Sequence, residues 1–231
     1  MTIDLTIPAL PGDGAPAGIA AGTAIRGNWR QYVAAVRVLL VMTLLLGLGY
    51  PLAVTAIAQL PGLQDRAAGS LIHSASGAVV GSSLLGQGFV DASGNPLPQW
   101  FQERPSAAGK SGWDGTSSGA SNLGPTNADL AKTITDRKAA IAAFDSVPGH
   151  PVTAGQVPAD AVTASGSGLD PDISPGYARL QAYRVAQARN LDPATVLALV
   201  ARHTQGRLLG FLGEGHVNVL ELNLALAKPA P

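Results

Sequence analysis

Apolar positions crowd into one early run and then thin out into short periodic segments. From Val38 to Leu60, VLLVMTLLLGLGYPLAVTAIAQL, no residue is charged. A bilayer core about 30 Å thick needs about 20 apolar residues at about 1.5 Å rise each, so the run predicts a transmembrane helix. It is assigned to residues 31–60. A cleaved signal peptide is the competing reading, and AIA at 56–58 resembles a cleavage site. Signal cores run about 7–15 residues, which is shorter than this run, and the segment before it is too long for a usual leader. Further on, SLIHSASGAVVGSSLLGQGF sets two short apolar runs around Ser-Gly and predicts a hairpin of weak strands. In TNADLAKTITDRKAAIAAF, Leu130, Ile134, Ile141 and Phe144 fall on one helical face. Thr126 or Asn127 caps that helix, Asp129 complements its first-turn dipole, and Pro148-Gly149 stops it. Ala161–Thr163 predicts a strand. Ser174-Pro175 and Asp192-Pro193 are each an N-cap and N1 pair, opening helices that run to about Arg189 and about Thr204. The final HVNVLELNLAL alternates and predicts a carboxy-terminal strand buried on both faces.

The fold class is therefore α+β: a single amino-terminal transmembrane helix, then a mixed α/β domain over residues 61–231 with a small sheet and about three helices. Residues 1–30 are rich in Ala, Gly and Pro without a period and predict a disordered tail.

Charge adds an orientation. Arg26, Arg30 and Arg37 precede the span, whereas Asp65 and Arg66 after it cancel. Positive flanks stay inside, so the tail is predicted cytoplasmic and the domain extracytoplasmic. The whole chain has 15 basic and 15 acidic residues. That balance excludes the basic footprint of a nucleic-acid binder and strong steering of cations by net charge. There is no Cys, which excludes disulfides and thiolate metal sites. The four His, at 73, 150, 203 and 216, contain no pair at helical metal-site spacing.

Within the span, Gly47, Gly49, Ala53 and Ala56 are small. Gly49 and Ala53 stand four apart, the small-xxx-small spacing that lets helix backbones approach closely. Pro51 frees a backbone carbonyl that a neighbouring helix tolerates better than lipid does. Two readings stay open: a helix packed inside a multi-subunit complex, and an ordinary single-pass anchor.

Two motifs hint at catalysis. Gly109-Lys110-Ser111 ends like a phosphate loop, but the consensus needs Gly at 104, where Arg stands, and a strand before it. Gly115-Thr116-Ser117-Ser118-Gly119 matches Gly-x-Ser-x-Gly, but a nucleophile elbow needs a strand before and a helix after, and both flanks read as loop. The carboxylates Glu103, Asp114, Asp170 and Asp172 are scattered. Asp170 and Asp172 read as turn and capping residues. No catalytic or metal-binding set emerges. What fits better is a docking surface. Arg104, Pro105 and Ser106 form a stiff stretch bearing one guanidinium. Ser121, Asn122, Leu123, Gly124 and Pro125 form a turn in which Asn and Gly accept positive φ and Pro fixes φ.

Five blocks then occur in order after one span: FQERPSA, SGASNLGPTNADL, VTASGSGLDPDISP, RVAQARNL and GFLGEGHVNVLELNLAL. Together they closely resemble the C subunit of the potassium-transporting Kdp ATPase, the KdpC family, over about residues 33 to 227. DASGNPLP and GKSGWDG fall where the family varies in length. The resemblance implies a non-catalytic subunit of the KdpFABC complex in the bacterial inner membrane. Its partners would be the channel-like KdpA, the ATPase KdpB and the small KdpF, with the lipid bilayer around the span. ATP and potassium would be handled by the complex, and no cofactor is implied for this chain itself. Two family roles are implied: support of assembly and stability, and a catalytic chaperone that raises the ATP affinity of the B subunit. The competing class is a membrane-anchored extracytoplasmic enzyme using Ser117, or a generic binding module unrelated to transport.

Overall fold

The computed structural model describes residues 21–74 and 76–227, with the backbone alone for 21–28. It divides into two units, Met1–Leu63 and Gln64–Pro231, taken here one at a time.

The first unit is helical. Helix α1 (Ala21–Leu44) runs into a π-helical turn, Leu45–Gly49, and then into α2 (Tyr50–Ala58). Trp29–Ala58 is long and apolar enough to cross a membrane. The helix begins ahead of residue 31, inside the segment expected to lack structure; the rest of that expected tail, residues 1–20, lies outside the described residues. Extending a formed helix costs far less than nucleating one, so Ala21–Arg30 continues a helix that the span has already paid to start. The π turn has a local cause. Pro51 has no N–H, and its ring crowds the carbonyl one turn back. A widened turn relieves this, and the Tyr50 N–H reaches back to the Leu45 carbonyl. Just beyond, the Thr55 hydroxyl donates to the Pro51 carbonyl at 2.8 Å.

The second unit opens with a short helix, α3 (Gln64–Ala67), and the expected hairpin, β1 (Leu71–His73) against β2 (Val79–Ser82). A long irregular segment leads to α4 (Ala128–Asp145), capped by the Asn127 side chain on the Leu130 N–H. A turn of helix, α5 (Ala159–Val162), and β3 (Asp172–Ile173) precede α6 (Pro175–Arg189) and α7 (Pro193–His203). Ser174 and Asp192 cap these two helices as the sequence foretells. α6 ends at Asn190 in the left-handed conformation (φ 54°), a C-cap that Asn tolerates. β4 (Thr204–Gln205), β5 (His216–Asn218) and α8 (Val219–Ala227) complete the described residues. The sheet order is β3-β5-β4, antiparallel throughout.

Two expectations need correction. Ala161–Thr163 is not a strand: Ala161 and Val162 lie in α5. Asp160 in that turn binds the Ser174 N–H at 2.6 Å and the Ser174 hydroxyl at 2.9 Å, so the turn is anchored to the cap of α6. The carboxy-terminal segment is a strand only over His216–Asn218 and a helix afterwards. Asn218 makes the switch. Its side-chain oxygen accepts the Glu221 N–H at 3.0 Å, which caps α8, and its amide donates to the Ser83 carbonyl at 2.9 Å. A short run buried all round has no periodicity to separate strand from helix.

The core is built around α6. Ala178, Ala182, Val185 and Ala186 are buried against Val196 and Val200 of α7, Leu222 and Leu226 of α8, and Val217 of the central strand. Small residues on α6 let the neighbouring helices approach closely, and the cluster they form is buried.

Candidate functional site

The segment from Phe101 to Pro125 has almost no regular structure, yet its first half is tightly held. Buried carboxamides do this work. Asn223 of α8 accepts the Phe101 N–H at 2.9 Å and donates to the Phe101 carbonyl at 3.0 Å. Gln181 of α6 does the same for Gln102, at 2.7 and 3.0 Å. Each side chain supplies one donor and one acceptor, as a neighbouring strand would. The irregular chain thus crosses the core with its backbone paired at Phe101 and Gln102. Arg184 locks the arrangement. It donates to Gln181 Oε1 at 2.8 Å, to the Trp100 carbonyl at 3.0 Å, to the Pro98 carbonyl, and to buried Asp145 at 2.6 Å. None of Gln181, Arg184 and Asn223 was singled out from the sequence. The available signal was a polar residue inside an apolar helical face, as in LELNLAL.

Beyond Gln102 the chain meets the 163–172 loop. Arg104 Nη1 binds Asp170 at 2.7 Å, and its other nitrogens reach the Thr163 carbonyl at 3.4 Å. Ser106 uses its hydroxyl fully: it donates to the Gly168 carbonyl at 2.5 Å and accepts from the Ala108 and Trp113 N–H groups at 3.1 and 2.7 Å. Gly119 N–H and the Ser118 hydroxyl both reach the Ser167 carbonyl. At the crossing stands Gly168, with φ +68°; a Cβ there would lie 2.6 Å from the Gly119 carbonyl oxygen and 2.7 Å from the Ala108 nitrogen. Only glycine fits at that approach.

The two catalytic hints close on this geometry. The N–H groups that a phosphate would need around Gly109 to Trp113 include two already bound to Ser106. Ser117 is exposed in a turn whose N–H bonds the Asp114 carbonyl, with neither strand before nor helix after. The carboxylates also part company. Asp114 is held below its usual range by hydrogen bonds from the Thr116 side chain and backbone. Asp170 serves Arg104. Burial pushes Asp172 up, with His216 nearby acting in the other direction. Glu103 is 6 % exposed, its carboxyl oxygens make no well-formed hydrogen bond among the described residues, and desolvation raises it well above its ordinary value, with the nearby Gln87 backbone acting weakly in the other direction. Among the described residues no group of three His, Asp or Glu could hold a metal ion.

The residues singled out for docking fall into two groups. Arg104, Pro105 and Ser106 are half-buried and spend their polar groups inside the domain. Ser121, Asn122, Leu123, Gly124 and Pro125 are all exposed. Asn122 takes φ +53° and donates to the Ala120 carbonyl, and of the two candidates for positive φ it alone adopts it. In the helical unit Gly47 and Gly49 lie in the π turn, and Gly49, which caps α2, stands at i to Ala53 at i+4 and Ala56 at i+7, so these three share a face.

In sequence, an apolar helix long enough to cross a membrane comes ahead of an α+β domain whose bracing side chains bond its own loops. The family model for KdpC, described as "K+-transporting ATPase, c chain", matches residues 32–228. A Kineococcus radiotolerans protein named "Potassium-transporting ATPase KdpC subunit" is 54% identical over 202 residues, covering 87% of this chain and 95% of that one. Proteins of the same name from Streptomyces avermitilis and Sorangium cellulosum are 50% and 54% identical, covering 84% and 81% of this chain and 92% of each relative. The chain belongs to the KdpC family. It is thus an accessory chain of the potassium-transporting ATPase type, not a catalytic one.

Proposed function

We propose that this chain is the C subunit of an ATP-driven potassium importer and supports assembly of the complex. One observation carries the reading: the c-chain pattern covers residues 32–228, through span and domain alike. In this reading the single span sits in the bacterial inner membrane with its amino terminus cytoplasmic, and the domain is extracytoplasmic. The three arginines before the span support that orientation. The channel-like, ATPase and small subunits of the Kdp complex are the partners. The Gly49-Ala53-Ala56 face packs against a partner helix, and the exposed Ser121–Pro125 turn faces a partner on the outer side. Assembly is preferred to a change in ATP affinity on physical grounds. An outer domain would reach an inner ATP site only through a two-state element biased by both sites.

Packing is tested by Gly49→Leu, with Ala53→Leu as a second variant. Each should reduce the amount of transporter that co-isolates with the tagged chain, because a Leu side chain holds the backbones apart. Undiminished yield from both would sink the packing claim. Orientation has a separate check. The chain has no Cys, so Ser111→Cys in the exposed loop introduces a single thiol. A membrane-impermeant maleimide added to intact spheroplasts should label it. Labelling only after lysis would reverse the topology.

A further inference from the structure

The loop between β4 and β5, RLLGFLGE, carries four large apolar side chains in open solvent. Leu208, Leu209, Phe211 and Leu212 are 70, 77, 69 and 47 % exposed. The loop is nonetheless well built. Leu208 and Leu212 exchange both backbone hydrogen bonds at 2.9 Å, and the Gly210 N–H bonds the Arg207 carbonyl at 3.0 Å. Its stems are adjacent strands of the core sheet, paired Gln205 to His216.

Leu209 is doubly out of place. It takes φ +55° and Gly210 takes φ +82°. Two successive positive φ values in a hairpin connection are ordinarily filled by Asn, Asp or Gly. A branched side chain there is strained, and it is also the most exposed of the four. Folding gains nothing from either feature. Local rules broken without a folding gain point to binding.

We propose that this tip is a preformed apolar knob that inserts into an uncharged hydrophobic pocket on a partner chain of the transport ATPase. The inference rests on the subunit reading above and adds a second docking surface of the domain beside the Ser121–Pro125 turn. Charge favours a protein pocket over lipid. The tip's flanking charges, Arg207 and Glu214, bond each other at 3.1 Å and cancel. Segments that lie in a bilayer surface carry a Lys/Arg excess and interfacial Trp or Tyr, and residues 207–214 have neither. Rigidity points the same way, because a shaped knob loses little entropy on entering a shaped pocket.

The test uses the full chain expressed with its transporter partners. Leu209→Asn gives the turn the residue it favours, so the variant should fold with an unchanged or raised thermal midpoint. It should still bind the other subunits about tenfold or more weakly in detergent titration, because one buried Leu is worth at least that factor. Phe211→Ser should weaken binding in the same way. If both variants bind as the parent does, the knob is refuted and the subunit reading stands. If the parent itself fails to co-isolate, the subunit reading falls. Two further outcomes also overturn the proposal. One is quenching of Phe211→Trp by brominated lipid in nanodiscs beyond that of the parent chain, which would make lipid the occupant. The other is a dimer of the isolated chain that Leu209→Asn dissociates, which would make a second copy the occupant.

Discussion

Arg184→Met should lower the stability of the α+β domain by about 3–5 kcal/mol, the usual cost of leaving one member of a buried ion pair alone. The site explains the size. Arg184 and Asp145 are both almost fully buried and meet at 2.6 Å. Methionine keeps most of the aliphatic stem, so packing on the Phe144 ring, whose centroid lies 4.4 Å from the guanidinium, is partly retained. What disappears is the Arg184 donor to Asp145 and to the Pro98 carbonyl, while Gln181 and the Trp100 carbonyl lose one donor each and keep those from Gln102. Buried acceptors stripped of partners cost their full desolvation. The damage should spread, because Gln181 clamps Gln102 and Gln102 leads into the Arg104–Ser106 brace. Thermal unfolding of the detergent-solubilised chain measures it. Pairing the change with Asp145→Leu should recover part of the loss, since an apolar pair can replace a buried ion pair at little cost. A loss below about 1 kcal/mol for Arg184→Met would show that water or other groups reach Asp145.

Glu103→Gln should raise stability at neutral and alkaline pH and flatten its dependence on pH. The Glu103 carboxyl is raised well above its ordinary value of 4.5, first by burial and then by Asp170 and Asp172, with the Gln87 backbone partly offsetting them. A native pKa above the unfolded one means that the folded state holds a proton the unfolded state has released. The contribution of this group to stability is therefore complete below the ordinary value. It is lost as pH rises toward the native value, by up to about 1.4 kcal/mol per pH unit. Glutamine has nearly the same shape and never ionises, so that slope should vanish in the variant. Thermal midpoints from about pH 5 to about pH 8 provide the comparison. Parallel profiles for variant and parent would mean that Glu103 is solvated or paired.

Elements with their own local punctuation were legible in the sequence. Asn127, Ser174-Pro175 and Asp192-Pro193 mark helix starts by hydrogen bonds that reach only two or three residues along the chain. The hairpin at 71–82 is similarly local. The segments misjudged at 161–163 and 216–226 are those whose conformation is set by distant or ambiguous signals. α5 is held through Asp160 to Ser174, and α8 starts because Asn218 changes its role from strand residue to cap.

The candidate site follows the same division. Asn122 was a sound choice for positive φ, because that preference belongs to the residue itself. Arg104 looked like an outward anchor, and only its partner Asp170, far along the chain, reveals it as an internal brace. The exposure of Leu208, Leu209 and Phe211 was invisible for the converse reason: an apolar run reads as core until the fold shows that nothing covers it.

By itself the sequence determined the long apolar helix, the three punctuated helices and membership of the family, since length, caps and ordered motif blocks are written in neighbouring residues. Tertiary structure alone decided which polar groups turn inward and which apolar ones stay outside. Those choices depend on pairings across tens of residues, such as Phe101 with Asn223 and Ser106 with Gly168, and only the packed chain brings these partners within bonding distance.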